Sequence, residues 1–289
     1  MISRIAYRNA KQNASFGLMW LTAGLTVMVM VLVVGYVIIR GISLITPEFF
    51  TTPPRGGLSG EGGISSTIIA TVYLVLTTLF VATPLGVGAG IFLVEYADHL
   101  RSRVVKALVG IARFGVETLA GVPSIIFGLF GYALFVAALH FGFSILSAAL
   151  AGACLVIPVI IRTTEEALKA VPDSYRKASL AIGATRWETV WKVILPAAVS
   201  GIATGIILSA GRIVSETAIF YVTLGGSYRT PTSLMSSGRT MALHVYYLAM
   251  ETRAFDKAMA TGAVLVILII LMNLTINLIS RRISAGMGR

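Results

Sequence analysis

The chain has 289 residues, 56% of them hydrophobic and only 12% charged, and its mean hydropathy is +0.88. So few charges cannot cover the surface of a water-soluble domain of this length, and the composition specifies an all-α protein that crosses a membrane several times. The formal net charge of +11 does not point to nucleic acid, because the basic residues fall at the ends of apolar runs and in the loops between them.

Six runs reach the roughly 20 apolar residues that a crossing needs. They are 16–39, 67–94, 119–139, 142–161, 197–226 and 259–279. The first is too long for a signal-peptide core and reads as a span. The second carries Pro84 with Gly86, Gly88 and Gly90, so a kink or an early end is expected there. The fifth is longer than a crossing requires, so part of it is expected to leave the membrane. Cys154, the single cysteine, lies in the fourth run, cannot form an internal disulfide, and reads as a small buried side chain. His99, His140 and His244 are too far apart in sequence to suggest a metal site.

Lys and Arg set the orientation. Arg4, Arg8 and Lys11 precede span one. Arg101, Arg103, Lys106 and Arg113 follow span two. Arg162, Lys169, Arg176, Lys177, Arg186 and Lys192 follow span four, and Arg281, Arg282 and Arg289 follow span six. The alternate segments hold only Arg40, Arg55, Arg229, Arg239, Arg253 and Lys257. Both termini are therefore expected in the cytoplasm: a segment at 1–15, a six-helix transmembrane domain at 16–280, and a tail at 281–289. The outer stretch 41–66 reads as irregular. In the outer stretch 230–257, Thr230-Pro231 resembles a helix start, with 234–250 as a short interfacial or re-entrant helix.

The loop after span four predicts a helix–Gly–helix elbow at about 172–196. Asp173 would cap a helix over 174–182, and Gly183 suits its C-terminus. Thr185 and Glu188 have capping-box spacing, opening a second helix from Trp187 toward Pro196. Ala178, Ser179 and Ala181 beside Trp187 and Trp191, in a loop facing water, suit docking into a partner's groove. No Gly-Lys pair exists in the chain, so there is no P-loop, and any ATP must be bound by another subunit.

Arg212 and Glu216 stand four residues apart inside the fifth run. On one helix that spacing puts both on one face. A charge at the bilayer centre costs at least about 2.5 kcal/mol, so it faces protein or a watery path. Arg212 would grip an oxyanion through its guanidinium. Glu216 would either hold Arg212 when the path is empty or accept a hydrogen bond from a protonated anion. Ser215 and Thr217 are candidate hydroxyl donors, although such residues commonly bond the preceding turn. Pro123-Ser124 interrupts span three, and Ser124 is a candidate path-lining residue.

The elbow resembles the membrane subunits of ABC importers, whose motif reads Glu-Ala-Ala, three residues, Gly, nine residues, Ile-x-Leu-Pro. Here it stands as Lys177-Ala178-Ser179, Gly183, then Val193-Ile194-Leu195-Pro196, with Lys177 and Val193 departing from the pattern. The chain is similar above all to phosphate importer permeases of the PstA type. That similarity is carried by Gly62-Gly63-Ile64, by the segment 84–96 (Pro-Leu-Gly-Val-Gly-Ala-Gly-Ile-Phe-Leu-Val-Glu-Tyr) and by 119–130 (Leu-Ala-Gly-Val-Pro-Ser-Ile-Ile-Phe-Gly-Leu-Phe). It continues through Gly211-Arg212-Ile213-Val214-Ser215-Glu216-Thr217 and His244-Val245-Tyr246-Tyr247-Leu248-Ala249. The resemblance implies the type I permease fold of ABC importers and a phosphate-passage role for Arg212 and Glu216. It implies ATPase coupling through Lys177, Ala178, Ser179, Gly183, Leu195 and Pro196. It also implies a PstC-like permease partner, a PstB-like ATPase dimer that uses ATP and Mg, and an external phosphate-binding protein. This chain itself would bind no cofactor and break no bond. A permease for sulfate or molybdate stands as the near alternative. An ion-coupled transporter would show a second Arg/Glu segment in a repeat, which the chain lacks.

Overall fold

A computed structural model describes residues 2–55, 61–97 and 102–287. His99, Arg101 and Arg289 lie outside these residues. The described chain is helical apart from one small hairpin, β1 (Pro54–Arg55) antiparallel to β2 (Glu61–Gly62). It opens with α1 (Ile2–Ile42) and a short α2 (Pro47–Thr51). Then comes α3 (Ser65–Ile91), which runs through Pro84 without ending and closes in a π-helical turn, Phe92–Tyr96.

Next come α4 (Arg103–Ala120), α5 (Ser124–Gly131) with a π-helical turn at Tyr132–Ala138, and α6 (Ile145–Lys169). The elbow follows as α7 (Asp173–Ala181) and α8 (Arg186–Thr189). A third π turn, Val190–Ile194, joins α8 to α9 (Leu195–Ser215). The chain closes with α10 (Ala218–Thr223), α11 (Met241–Tyr246), a π turn at Tyr247–Glu251, and α12 (Phe255–Met287).

Five stretches are long and apolar enough to cross a membrane: Lys11–Ile42, Ser65–Tyr96, Ile145–Lys169, Arg186–Ser215 and Phe255–Thr275. A sixth arises if α4 and the α5 segment count as one span, bent by 109°. This corrects the expected third span. The 119–139 run is no single helix, because Gly121 to Pro123 break it and residues 119 and 120 belong to α4. The basic stretch expected as a loop after span two is α4 itself, whose side chains are none of them buried.

The core is built around α6, whose neighbours are α3, α5 and α9. Leu74, Phe127, Ile160, Ile213 and Phe220 meet there, all buried. Small residues set how close the helices come. A methyl carbon at Gly86 would fall 2.7 Å from Ile160 Cγ2, and one at Gly90 2.7 Å from Thr164 Cβ. Gly88, on the opposite face of α3, meets open space. By contrast α1 rests on α12 and buries nothing across its apolar window, as expected of a helix facing lipid or a partner.

At the end opposite the elbow, crossing loops satisfy the helix ends. Ser144, Ile145 and Leu146 donate their amides to Thr223, Ser236 and Leu234, which closes the start of α6. Ser66 Oγ bonds Tyr228 O, and Met241 N donates to Thr71 Oγ1. The helix expected over 234–250 starts late: Thr230-Pro231 does not open it, residues 227–240 are irregular, and α11 with its π turn covers 241–251. Thr240 is the cap, its hydroxyl accepting from Leu243 N at 3.2 Å.

The two faces of α3 give a contrast to measure. Gly90→Val overpacks the α3–α6 seam and is expected to cost about 1–3 kcal/mol. Gly88→Val meets nothing, so detergent-solubilised protein should unfold at lower temperature with the first change than with the second.

Candidate functional site

α8, its π turn and α9 form one continuous helix, Arg186–Ser215. The expected end at Pro196 does not occur: Pro196 lies two residues past the π turn, inside the continuous helix, which runs on from the elbow to the site. It ends at Ser215. Glu216 is extended (φ −74°, ψ 136°) and α10 begins two residues later.

This break corrects the expected geometry of Arg212 and Glu216. They do not share a helical face, because the helix stops between them. No hydrogen bond or ion pair joins the two among the described residues. Glu216 Oε1 instead accepts the amides of Thr217 at 3.1 Å, Ala218 at 3.0 Å and Ile219 at 3.5 Å, capping α10. Its other oxygen has no such partner. Arg212, in the last turn of α9, is exposed and has no hydrogen-bond or ion-pair partner among the described residues. Ser215 is exposed, and its hydroxyl bonds back to Gly211 O and Arg212 O at 3.0 and 3.1 Å. Thr217 is half-buried at the start of α10.

Ser124 opens α5, half-buried and without a side-chain hydrogen bond. Its helix lies along α10 in parallel. Gly128 approaches Ile219 and Val222, and Gly131 approaches Thr223. Carried back one turn, that register sets Ser124 level with the Glu216 break. The structure thus brings Arg212, Glu216, Ser215, Thr217 and Ser124 to one zone, where two short helices begin side by side.

The elbow matches its expected motif closely. Gly183 has φ +89°, a conformation glycine adopts without strain. Thr185 and Glu188 form the full capping box, with Thr185 Oγ1 accepting Glu188 N at 3.2 Å and Glu188 Oε2 accepting Thr185 N at 3.0 Å. Asp173 is a correction: it is the first residue of α7, after the extended Pro172, and caps nothing. Lys177, Ala178 and Pro196 are exposed and Leu195 is half-buried. Ser179 is buried, its hydroxyl 2.9 Å from Thr189 Oγ1, and this pair locks α7 to α8.

Sequence reasoning missed Ile182, at 87% exposure the most open large apolar side chain described, at the tip of the elbow beside Gly183. With exposed Leu180 and Tyr175 it makes the outer face of the elbow far more apolar than its small residues suggest. The signal was an isoleucine adjoining a glycine that ends a water-facing helix.

A second omission lies at the other end. Arg239 appears in the sequence as one more outer charge, yet it is 7% exposed. Its Nε donates to Gly226 O at 2.9 Å, and its guanidinium lies 4.0 Å from the centre of the Tyr247 ring. His244 Nδ1 stands 3.5 Å from Arg239 Nη1. Tyr221 and Tyr246 pack against Tyr247. Burial, with Arg239 and Lys257 nearby, pushes His244 down to about 3.

An apolar helical bundle, broken at an exposed arginine and carrying a structured elbow at one end, is a polytopic membrane permease. Residues 82–289 match the binding-protein-dependent transport system inner membrane component, and the chain belongs to that family. It is therefore a multi-pass inner-membrane translocation subunit. It is 35% identical over 285 residues to the phosphate transport system permease protein PstA of Yersinia pestis, covering 98% of this chain and 90% of that one. It is 32% identical over 283 residues to YqgI of Bacillus subtilis, named as a probable ABC transporter permease protein, covering 92% and 94%. In fold it is similar to a chain of the bacterial alginate ABC transporter in complex with an alginate-bound periplasmic protein (TM-score 0.64, 16% identity, 91% and 95% covered). It is also similar to a chain of the inward-facing MetNI methionine ABC transporter (TM-score 0.58, 20% identity, 76% and 97% covered).

His244 makes the fold sensitive to acid. It is neutral when folded, while the unfolded chain takes up a proton below pH ~6.5. Stability from this residue is complete above that pH and falls progressively toward pH 3. At pH 5 the loss is about 2 kcal/mol. Thermal unfolding compared at pH 7.5 and pH 5 should show a drop in the parent that His244→Gln largely abolishes.

Proposed function

We propose that this chain is one permease subunit of an ATP-driven importer of inorganic phosphate, working by alternating access. The observation that carries the reading is Arg212: an exposed guanidinium with no partner among the described residues, on the last turn of a membrane-spanning helix. A fixed cation in a low-dielectric path needs a counter-charge, and a travelling oxyanion supplies one with geometry suited to two parallel hydrogen bonds. The likeness to PstA of Yersinia pestis over nearly the whole chain supports phosphate as that oxyanion.

In this reading Glu216 has two tasks on its two oxygens. Oε1 holds the start of α10. Oε2 is left to accept a hydrogen bond from phosphate, which is partly protonated at neutral pH, whereas sulfate carries no proton to donate. Ser124 and Thr217, level with the break, supply further polar groups along the path, while the Ser215 hydroxyl stays with its own helix.

The elbow carries the energy coupling. Lys177, Ala178 and Gly183, with Ile182 between them and α8, form the face that meets a PstB-like ATPase dimer, which binds ATP and Mg. Ser179, Leu195 and Pro196 hold that face to α8 and α9. A PstC-like permease completes the path, and a phosphate-binding protein delivers from outside. Both termini and the elbow lie in the cytoplasm, as the distribution of Lys and Arg requires.

Two substitutions test the site. Arg212→Gln, with membrane insertion and subunit assembly verified, should cut phosphate uptake by roughly tenfold or more, the loss of at least one charge-assisted contact; normal uptake would remove the site assignment. Glu216→Gln keeps an oxygen for the α10 amides but exchanges an acceptor for a donor. Uptake in that variant should become sensitive to competing sulfate, and parent-like rejection of sulfate would end the selectivity role.

A further inference from the structure

Arg176 holds three segments together. From the second turn of α7, its Nη2 donates to Leu168 O and its Nη1 to Val171 O, both at 2.9 Å, closing carbonyls at the end of α6. The same guanidinium grips Glu95 in a side-on pair, Nη2 to Oε1 at 2.7 Å and Nε to Oε1 at 3.1 Å. Glu95 lies in the π turn that ends α3, 81 positions away. The side chains are only 19% and 11% exposed, so water and salt screen the pair weakly. The Arg162–Glu166, Lys169–Glu165 and Lys192–Glu188 pairs are each four residues apart on one helix and far more exposed on the basic side.

The position of this pair matters for movement. The elbow is joined covalently to α6 on one side and to α9 on the other. α3 has no such connection to it. Yet α3 carries Pro84 and Gly88 on its exposed face, opposite Trp187, Trp191, Ile202 and Ile206 across a groove of about 600 Å³. α3 is also locked against α6 through Gly86 and Gly90. A pull on α7 that reached α6 and α9 alone would shear that packing.

We propose that the Arg176–Glu95 pair is a transmission link, carrying displacement of the elbow into α3 so that α3, α6 and α9 move as one body. Arg176 is a positioning residue, acting on the path through Glu95 and never touching the transported ion. This extends the elbow's role in the proposed function and rests on that reading. The α7–α8 lock through Ser179 and Thr189 makes the elbow stiff enough to pull. A charge-assisted, two-pronged contact with a fixed planar donor suits a link that must keep its angle as well as its length.

The test uses the assembled transporter, all subunits co-expressed, reconstituted in lipid nanodiscs and in proteoliposomes. The readout is phosphate moved per ATP hydrolysed, a ratio that mere loss of folded protein does not change. Glu95→Gln leaves the Arg176 contacts to Leu168 and Val171 intact. It is expected to keep ATPase co-purification and basal hydrolysis while the ratio falls at least fivefold. Arg176→Gln should do the same. An unchanged ratio in Glu95→Gln overturns the link. So does a failure of Arg176→Gln to assemble alongside a normal Glu95→Gln, because Arg176 would then be only a cap for α6. Because Arg212 and Glu216 are untouched, sulfate discrimination should stay parent-like, which separates failure of the link from failure of the anion site.

Discussion

A helix that starts within a membrane presents amides that its own turns cannot satisfy, and the cost is several kcal/mol for each unmet group. Glu216 meets that cost here by placing one carboxylate oxygen against the first amides of α10. The rest of the site follows from it. Because the carboxylate is engaged by backbone, it does not neutralise Arg212, and the guanidinium keeps its charge for something else. Because the helix breaks, α10 can start in a new direction and pack along α5. The two charged residues that look like a pair in sequence stand apart in the structure: Glu216 caps α10, and Arg212 has no partner among the described residues.

The same helix joins that site to the elbow. At about 1.5 Å per residue, the 30 residues of Arg186–Ser215 make a rod of about 45 Å. Its lower end is fixed by the capping box at Thr185 and the Ser179–Thr189 contact. Its flank is fixed by close packing: Gly201 against Ala167 and Gly205 against Thr163 leave no space for a larger residue. A rod pinned by contact along its length moves with α6. Displacement at the elbow therefore reaches Arg212 without an intermediate loop.

Much of this was legible in the chain. Hydropathy found the membrane segments because apolar length is a direct physical requirement, and the elbow was readable because capping and glycine chemistry are local. The failures were non-local. The 197–226 run is apolar apart from Arg212, Glu216 and Ser and Thr residues scattered along its length, so nothing in its periodicity marks the break at Ser215. What ends the helix is the carboxylate's preference for backbone amides over its neighbour four residues back. The third span was misplaced because α4 is amphipathic and its basic face resembles a loop. Glu95 and Arg176 were both visible as charges, but pairing them takes two helix ends to meet across 81 positions. Arg239 reads as an outer charge since sequence carries no sign that Tyr247 and His244 gather around it.

The π turn at Val190–Ile194 gives the rod a property beyond stiffness. Such a turn holds one residue more than a regular helix, and each residue is worth about 100° of rotation. The compass bearing of Arg212 relative to the docking face is therefore set by that surplus residue, far from both. Losing one residue there would leave every contact surface chemically intact and yet aim the guanidinium at a different wall. Deletion of one residue at this joint would re-aim the side chain without altering either surface.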